Sequence, residues 1–306
     1  MRVGVLLPQY GAEIGATLAS ARAADAARLD VWIAGQVFPI SDRPEKAAFE
    51  PLTLMGALAA ATTRSRLGFM VLAAPYYPAV GLAKSLITLD HVSGGRIEVG
   101  LGAGWREEEF RALGVPFEDG AARRRRLEER LDALEALAAG EATTAPDGTE
   151  VRSGPPALQS PLPLWIAGRG PKILELVGRR ATWANFARGI SIEGFRDATG
   201  IAREAAAAAG RGDGGPRLSL TGTFIGAATD AEAERKVAAR AAGRGRDAAE
   251  YQKELLAANA LIGGPERIAE QLAPYREAGC EAVILWPLDG DHEGAPETLA
   301  ALGETL

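Results

Sequence analysis

The chain of 306 residues contains one cysteine and two histidines, and each scarcity closes off a class of chemistry. A single Cys280 excludes an intramolecular disulfide and has no metal-ligand spacing around it. Between Ala278-Gly279 and the apolar run 282–286 it reads as a buried core residue. His91 falls inside a predicted helix and His292 in an acidic stretch near the end, so no Ser/His pair for nucleophilic catalysis is visible and His91 is expected to pack. Long apolar runs are absent as well. Nothing approaches the roughly 20 residues that a membrane helix needs, and the apolar stretch after Arg2 stops at Pro8, too soon for a signal peptide. A soluble, cytoplasmic protein is expected. Basic residues are scattered in a chain of net charge -6. The one basic run, Arg123 to Arg126, is followed by Glu128, Glu129 and Asp132, which suits a solvated helix face and not a nucleic-acid surface.

What the chain does have is enough apolar residues, 47% of the total, to bury a large core. No composition break divides it, so one domain over 1–306 is expected. Short apolar runs alternate with Ala-rich helical patterns. The predicted strands are 3–7, 31–34, 67–72, 96–101, 164–167, 182–186, 218–225 and 282–286. Helices are predicted at 17–28 with Thr17 as cap, at 51–63 opened by Pro51 after Glu50, and at 79–91, 107–113, 122–138, 172–180, 192–209 and 265–278. Each strand but the last is read as followed by a helix. Residues 140–162, rich in Pro, Gly and Thr, read as an irregular excursion with a hairpin around Asp147-Gly148. Eight near-continuous apolar strands, with no Gly-x-Gly-x-x-Gly turn after the first, favour an α/β fold of the eight-stranded parallel (β/α)8 TIM-barrel type over an open doubly wound sheet. The irregular stretch is a short insertion before strand five.

Barrel enzymes work at the carboxyl ends of their strands. Here those ends read Pro8-Gln9-Tyr10, Gly35-Gln36, Ala73-Ala74-Pro75-Tyr76-Tyr77, Gly102-Ala103-Gly104-Trp105-Arg106, Gly168-Arg169-Gly170-Pro171-Lys172, Asn185 with Arg188, Gly226 and Trp286-Pro287. Small, aromatic and amide-bearing tips with few titratable groups suit a site whose chemistry is carried by a cofactor. The Gly168 to Lys172 stretch ends a strand and opens a helix, so backbone N–H groups, the helix dipole and basic side chains can converge on an anion there. A plain turn that uses glycine for its geometry is the competing reading.

Several segments together resemble the bacterial luciferase-like superfamily of flavin- and deazaflavin-dependent barrels. They are Val31-Trp-Ile-Ala, the block from Leu82-Ala-Lys-Ser-Leu-Ile-Thr-Leu-Asp-His-Val-Ser-Gly-Gly-Arg to Gly-Leu-Gly-Ala-Gly-Trp105, Glu108-Glu-Phe-Arg-Ala-Leu-Gly-Val, Pro161-Leu-Pro-Leu-Trp-Ile-Ala-Gly, and Gly263-Gly-Pro-Glu-Arg-Ile-Ala-Glu-Gln-Leu. The wording of residues 108–115 is most similar to the branch that uses coenzyme F-420. Riboflavin phosphate (FMN) is the alternative, because both cofactors share a tricyclic ring, a ribityl chain and a first phosphate.

The resemblance implies a non-prolyl cis peptide in a bulge at the end of strand three, at Val71-Leu72 or one residue later, with Val71, Leu72 and Ala73 backing the ring. It implies ring or substrate contacts from Gly35 and Gln36. Phosphate contacts are implied from Gly102, Ala103, Gly104 and Trp105 and from Gly168, Arg169, Gly170, Pro171 and Lys172. Gln36 stands where deazaflavin relatives often carry a histidine, and Ala103 where their dehydrogenases carry an acidic glutamate. Both departures argue against alcohol oxidation. The expected activity is therefore hydride transfer from reduced F-420 to an activated C=C or C=N bond of a small molecule, with Gln36, Tyr76 and Tyr77 as catalytic candidates. Glutamine can only hydrogen-bond, so a tyrosine or water is expected to give the proton. An FMN-dependent monooxygenase and a degenerate barrel without turnover are the other readings. A separate cofactor-reducing enzyme and a homodimer are implied by the same resemblance. The loops 37–49 and 140–162, which would shape a substrate pocket, carry no readable code.

Overall fold

The computed structural model describes every residue except 12, 40–46, 188, 213–214 and 291–293; Arg188, His292 and much of the 37–49 loop therefore lie outside the described residues. Eight parallel strands close into a barrel. In chain order they are Arg2–Leu6, Asp30–Ala34, Leu67–Met70 with its continuation Leu72–Ala73, Ile97–Gly102, Leu164–Ala167, Trp183–Phe186, Arg217–Gly226 and Cys280–Pro287, called strands one to eight below. Strand seven closes the ring by pairing with strand six through Leu220↔Phe186 and with strand eight through Thr221↔Ile284.

The helices cover the outside. Glu50 accepts hydrogen bonds from the backbone of Leu52 and Thr53 and so caps the helix Pro51–Ala61, as its sequence suggests. The first helix differs from its expected start: it runs from Ile14 to Ala26, and Thr17 lies inside the first turn, donating to Pro8 O at 2.7 Å. Strand eight is followed by a helix after all, Ala295–Thr305, which packs on strand one. Two more helices, Asp230–Ala242 and Ala248–Ala257, and a short strand, Leu261–Gly263, fill the stretch after strand seven. The insertion before strand five holds the expected hairpin, Thr143–Thr144 against Glu150–Val151, with Gly148 at φ +86° in its turn. No described helix is long and apolar enough to cross a membrane.

Ser93-Gly94-Gly95-Arg96 locks the amino-terminal end of the barrel. Gly94 ends the helix Ala79–Ser93 at φ +68°, and Ser93 Oγ accepts from Arg96 N. The Arg96 guanidinium then donates to the carbonyls of Ala59, Thr62, Ser65 and Ser93. Buried Asp90 accepts from Leu158 N and from both nitrogens of Gln159, pinning the insertion. This part of the block that carries the family resemblance is scaffold, remote from the carboxyl ends.

Inside the barrel, alternate residues of each strand face the lumen. Trp32, Trp165 and Trp183 fill its lower half: Trp165 stacks on Trp183 at 4.6 Å between centroids and meets Trp32 edge-on at 4.5 Å. Gly68 makes room, since a Cβ there would stand 2.1 Å from the Trp32 ring. Beneath the indoles lie Arg2, Asp30, Arg66 and Glu98. Arg2 bonds Asp30 at 2.7 Å and Glu98 at 3.0 Å, Arg66 also pairs with Glu98, and Trp165 Nε1 donates to Glu98 Oε2 at 2.5 Å. A charged floor roofed by indoles fills one end of the lumen, so the carboxyl-end mouth is where a ligand would enter among the described residues.

Candidate active site

Strand three supplies the irregularity on which the mouth is built. Leu67 pairs with Ile97 and Leu72 with Leu101, so strand three has one residue more than strand four between those pairs, a β-bulge. Its cis peptide joins Met70 to Val71, one residue earlier than expected, because regular pairing with strand two stops at Ala34↔Met70. Glycines clasp the bulge on both sides. A Cβ at Gly35 would stand 2.1 Å from Val71 O, one at Gly100 would stand 1.8 Å from Phe69 O, and one at Gly102 would touch the Val71 side chain at 3.0 Å. The small residues at these tips thus make room for the strand-three backbone and the Val71 side chain, and seat the bulge at Val71, Leu72 and Ala73 at the mouth.

Beside the bulge sits a polar hub. Glu109, only 1% exposed, accepts from the Tyr76 hydroxyl at 2.8 Å and from Phe38 N at 3.1 Å, with Arg106 at 3.5 Å. Arg106 also donates to Pro39 O at 2.8 Å. Tips of strands two, three and four are thereby tied together. Nearby, the Tyr10 hydroxyl donates to Gln36 Oε1 at 3.2 Å, and Gln9 Nε2 donates to the carbonyls of Gln36 and Phe49. Tyr77 points away from the hub and donates to Glu50 at 3.1 Å.

Burial, reinforced by these carboxylates, pushes the Tyr76 and Tyr77 phenols well above their ordinary range, and Tyr10 rises through burial and the Glu109 charge. Both tyrosines expected to give a proton hold it against a glutamate. Glu109 itself was not picked out from sequence, since it is the third of three consecutive glutamates and only the fold shows that Glu107 and Glu108 face water while Glu109 does not.

The predicted phosphate turn comes next to this edge, because strands four and five pair through Leu101↔Ile166. Gly168 is needed for packing, as a Cβ there would collide with Ile173 at 2.4 Å. Gly170 caps the helix Pro171–Arg180 and faces open space. Lys172 turns outward to Glu175 at 2.9 Å, and Arg169 is exposed. Gly104 takes φ +75° against the Phe110 ring. Trp105 is 63% exposed, so of the strand-four residues expected at the cofactor, Gly102 and Ala103 lie at the mouth while Trp105 projects beyond it. Among the described residues no group of three His, Cys, Asp or Glu could hold a metal.

A family model described as luciferase-like monooxygenase matches residues 1–282. The chain belongs to the luciferase-like monooxygenase family. An FMNH(2)-dependent dimethylsulfone monooxygenase of Pseudomonas putida is 27% identical over 77% of this chain and 72% of its own length. An F420-dependent glucose-6-phosphate dehydrogenase of Beutenbergia cavernae is 37% identical over 42% of this chain and 39% of its own. Monooxygenase RslO1 from Streptomyces bottropensis shares the fold, with a TM-score of 0.78, 22% identity and coverage of 100% of this chain and 98% of that one. Luciferase-like relatives thus use either deazaflavin or FMN. In this luciferase-like barrel, Gly35, Gln36, Val71, Leu72, Ala73, Gly102 and Ala103 meet around one mouth, Tyr76 joins them through Glu109, and Tyr77 belongs to the outer wall.

Proposed function

We propose that this luciferase-like oxidoreductase uses coenzyme F-420 for hydride transfer, reducing an activated C=C or C=N bond of a small molecule. The glycine-clasped bulge carries the reading. Gly35 and Gly100 admit the strand-three backbone so closely that the bulge at Val71, Leu72 and Ala73 is seated at the mouth as an apolar edge, which suits the face of a tricyclic ring. When bound, the deazaflavin supplies the hydride. The chain's own residues position and exclude water: Gln36, steadied by Tyr10, hydrogen-bonds the ring edge or substrate, and Glu109 holds the tips of strands two to four in one arrangement. With the Tyr76 proton held by Glu109, the proton for the product comes from water. Reduced F-420 mixed anaerobically with an electron-poor alkene such as cyclohex-2-enone should be oxidised at a protein-dependent rate; a strict requirement for dioxygen and FMN would refute this and favour the monooxygenase reading, to which the similarity with the P. putida enzyme gives some support.

The phosphate is assigned to Gly102, Ala103 and the 168–172 turn. Gly168→Val is uninformative there because of Ile173, whereas Gly170→Val fits the φ of -80° and meets nothing in the protein. Gly170→Val should weaken F-420 binding by about tenfold, or ~1.4 kcal/mol, while the poorer helix cap costs about 1 kcal/mol of stability or less. Wild-type affinity in that variant would move the phosphate elsewhere.

A further inference from the structure

Gln36 is held at both ends by strand one's tip. Its main-chain carbonyl accepts from Nε2 of Gln9, a residue only 2% exposed, and its side-chain Oε1 accepts from the Tyr10 hydroxyl at 3.2 Å. Gln9 Nε2 also donates to Phe49 O at 3.0 Å, so this anchor is itself fixed. The two ends of a side-chain amide are chemical opposites, since the oxygen only accepts and the nitrogen only donates. A phenol has one proton to give, and among the described residues Gln36 Oε1 is the acceptor bonded to it. With Nε2 turned toward the phenol instead, the half-buried Tyr10 proton would lose that acceptor. Nor does the phenol become an acceptor by ionising, because burial and the Glu109 charge keep it protonated. Gln36 Nε2 is therefore the end turned away from Tyr10, and no described residue accepts from it. Gly35 before it lies against the Val71–Leu72 peptide, and Phe38 beyond it donates to Glu109, so the half-buried amide stands at the mouth between the bulge and the polar hub.

We infer that Tyr10 is a positioning residue, which turns the Gln36 amide so that the mouth presents an N–H donor, and that the substrate group meeting this donor is a carbonyl oxygen conjugated with the C=C bond to be reduced. The inference rests on the proposed hydride transfer and narrows its substrate class to α,β-unsaturated carbonyl compounds. When hydride from the reduced cofactor enters the far carbon of the C=C bond, the displaced electron pair moves onto the carbonyl oxygen, and water returns a proton to the carbon beside the carbonyl. An N–H group already aimed at that oxygen holds it more strongly as the charge grows. The opposite orientation would aim Oε1 at the same oxygen and oppose the charge.

Cyclohex-2-enone titrated into the purified chain, with and without oxidised F-420, tests the orientation through two readouts: affinity, and the infrared stretch of the bound carbonyl, which should move to lower frequency in the wild type. Gln36→Leu removes the donor, and Gln36→Glu replaces it with oxygens that still accept from Tyr10. Each should weaken the enone by at least about tenfold and abolish the infrared shift. Tyr10→Phe keeps the ring and frees the amide to turn, so it should weaken the enone by about threefold and reduce the shift. In the Gln36→Leu background Tyr10→Phe should add nothing, because its effect runs through the amide. No enone binding to the wild type, an unchanged stretch and affinity in Gln36→Leu, or the same loss from Tyr10→Phe in both backgrounds would overturn the inference. If F-420 fails to bind the wild type while the enone follows this pattern without it, the proposed hydride transfer falls and the oriented amide stands.

Discussion

Gly35→Ala is expected to remove at least ~10²-fold of turnover, in a protein that still folds. The added methyl would stand 2.1 Å from Val71 O, 2.3 Å from Val71 C and 2.5 Å from Leu72 N, all backbone atoms that cannot rotate aside. The Val71–Leu72 peptide must therefore shift by about an ångström, a displacement that typically costs ~10²-fold when it moves a reacting partner. Overpacking of this kind destabilises by about 1–3 kcal/mol, which a core of this size survives. Cofactor affinity measured beside melting temperature separates the two effects. Wild-type affinity and rate in the variant would show that the bulge does not back the ring.

Trp165→Ala should produce the largest loss of stability, about 3–5 kcal/mol by denaturant titration. The indole is fully buried between Trp32 and Trp183, so truncation opens a cavity in the middle of the stack. Its Nε1 is also one of the donors that satisfy buried Glu98, alongside Arg2 and Arg66. Trp165→Phe keeps an aromatic ring in the stack but loses that donor and part of the indole's volume, so it should cost about 1–3 kcal/mol, less than the alanine variant. If both variants lose the same stability, the hydrogen bond to Glu98 and not the packing holds the floor.

The eight barrel strands were legible because strands covered on both sides read as continuous apolar runs, and each predicted strand lies within a residue or two of the observed one. The strand Leu261–Gly263 was not: three residues leave no periodicity to detect, and it forms only because the upper part of strand seven has a free edge once strand six has ended. The helix Ala295–Thr305 was missed for a different reason, since a short pattern interrupted by Gly303 signals weakly without the strand-one surface it packs on. At the site, Gly35 and Gly102 could be singled out as small tips, but not why they are small. Their neighbours come from strand three, and one residue of bulge sets which atoms meet. Glu109 was hidden for a related reason. Burial and the partners it holds distinguish it from Glu107 and Glu108, and neither property is written in the local sequence.

Equilibrium titration of the purified chain with oxidised F-420 and, separately, with FMN tests the central claim most directly. Fluorescence or calorimetry should show F-420 binding at least about tenfold more tightly than FMN, with the difference lost together with F-420 affinity in Gly35→Ala. Tight binding of FMN with none of F-420 would contradict the account and assign the barrel to flavin-dependent oxygenation.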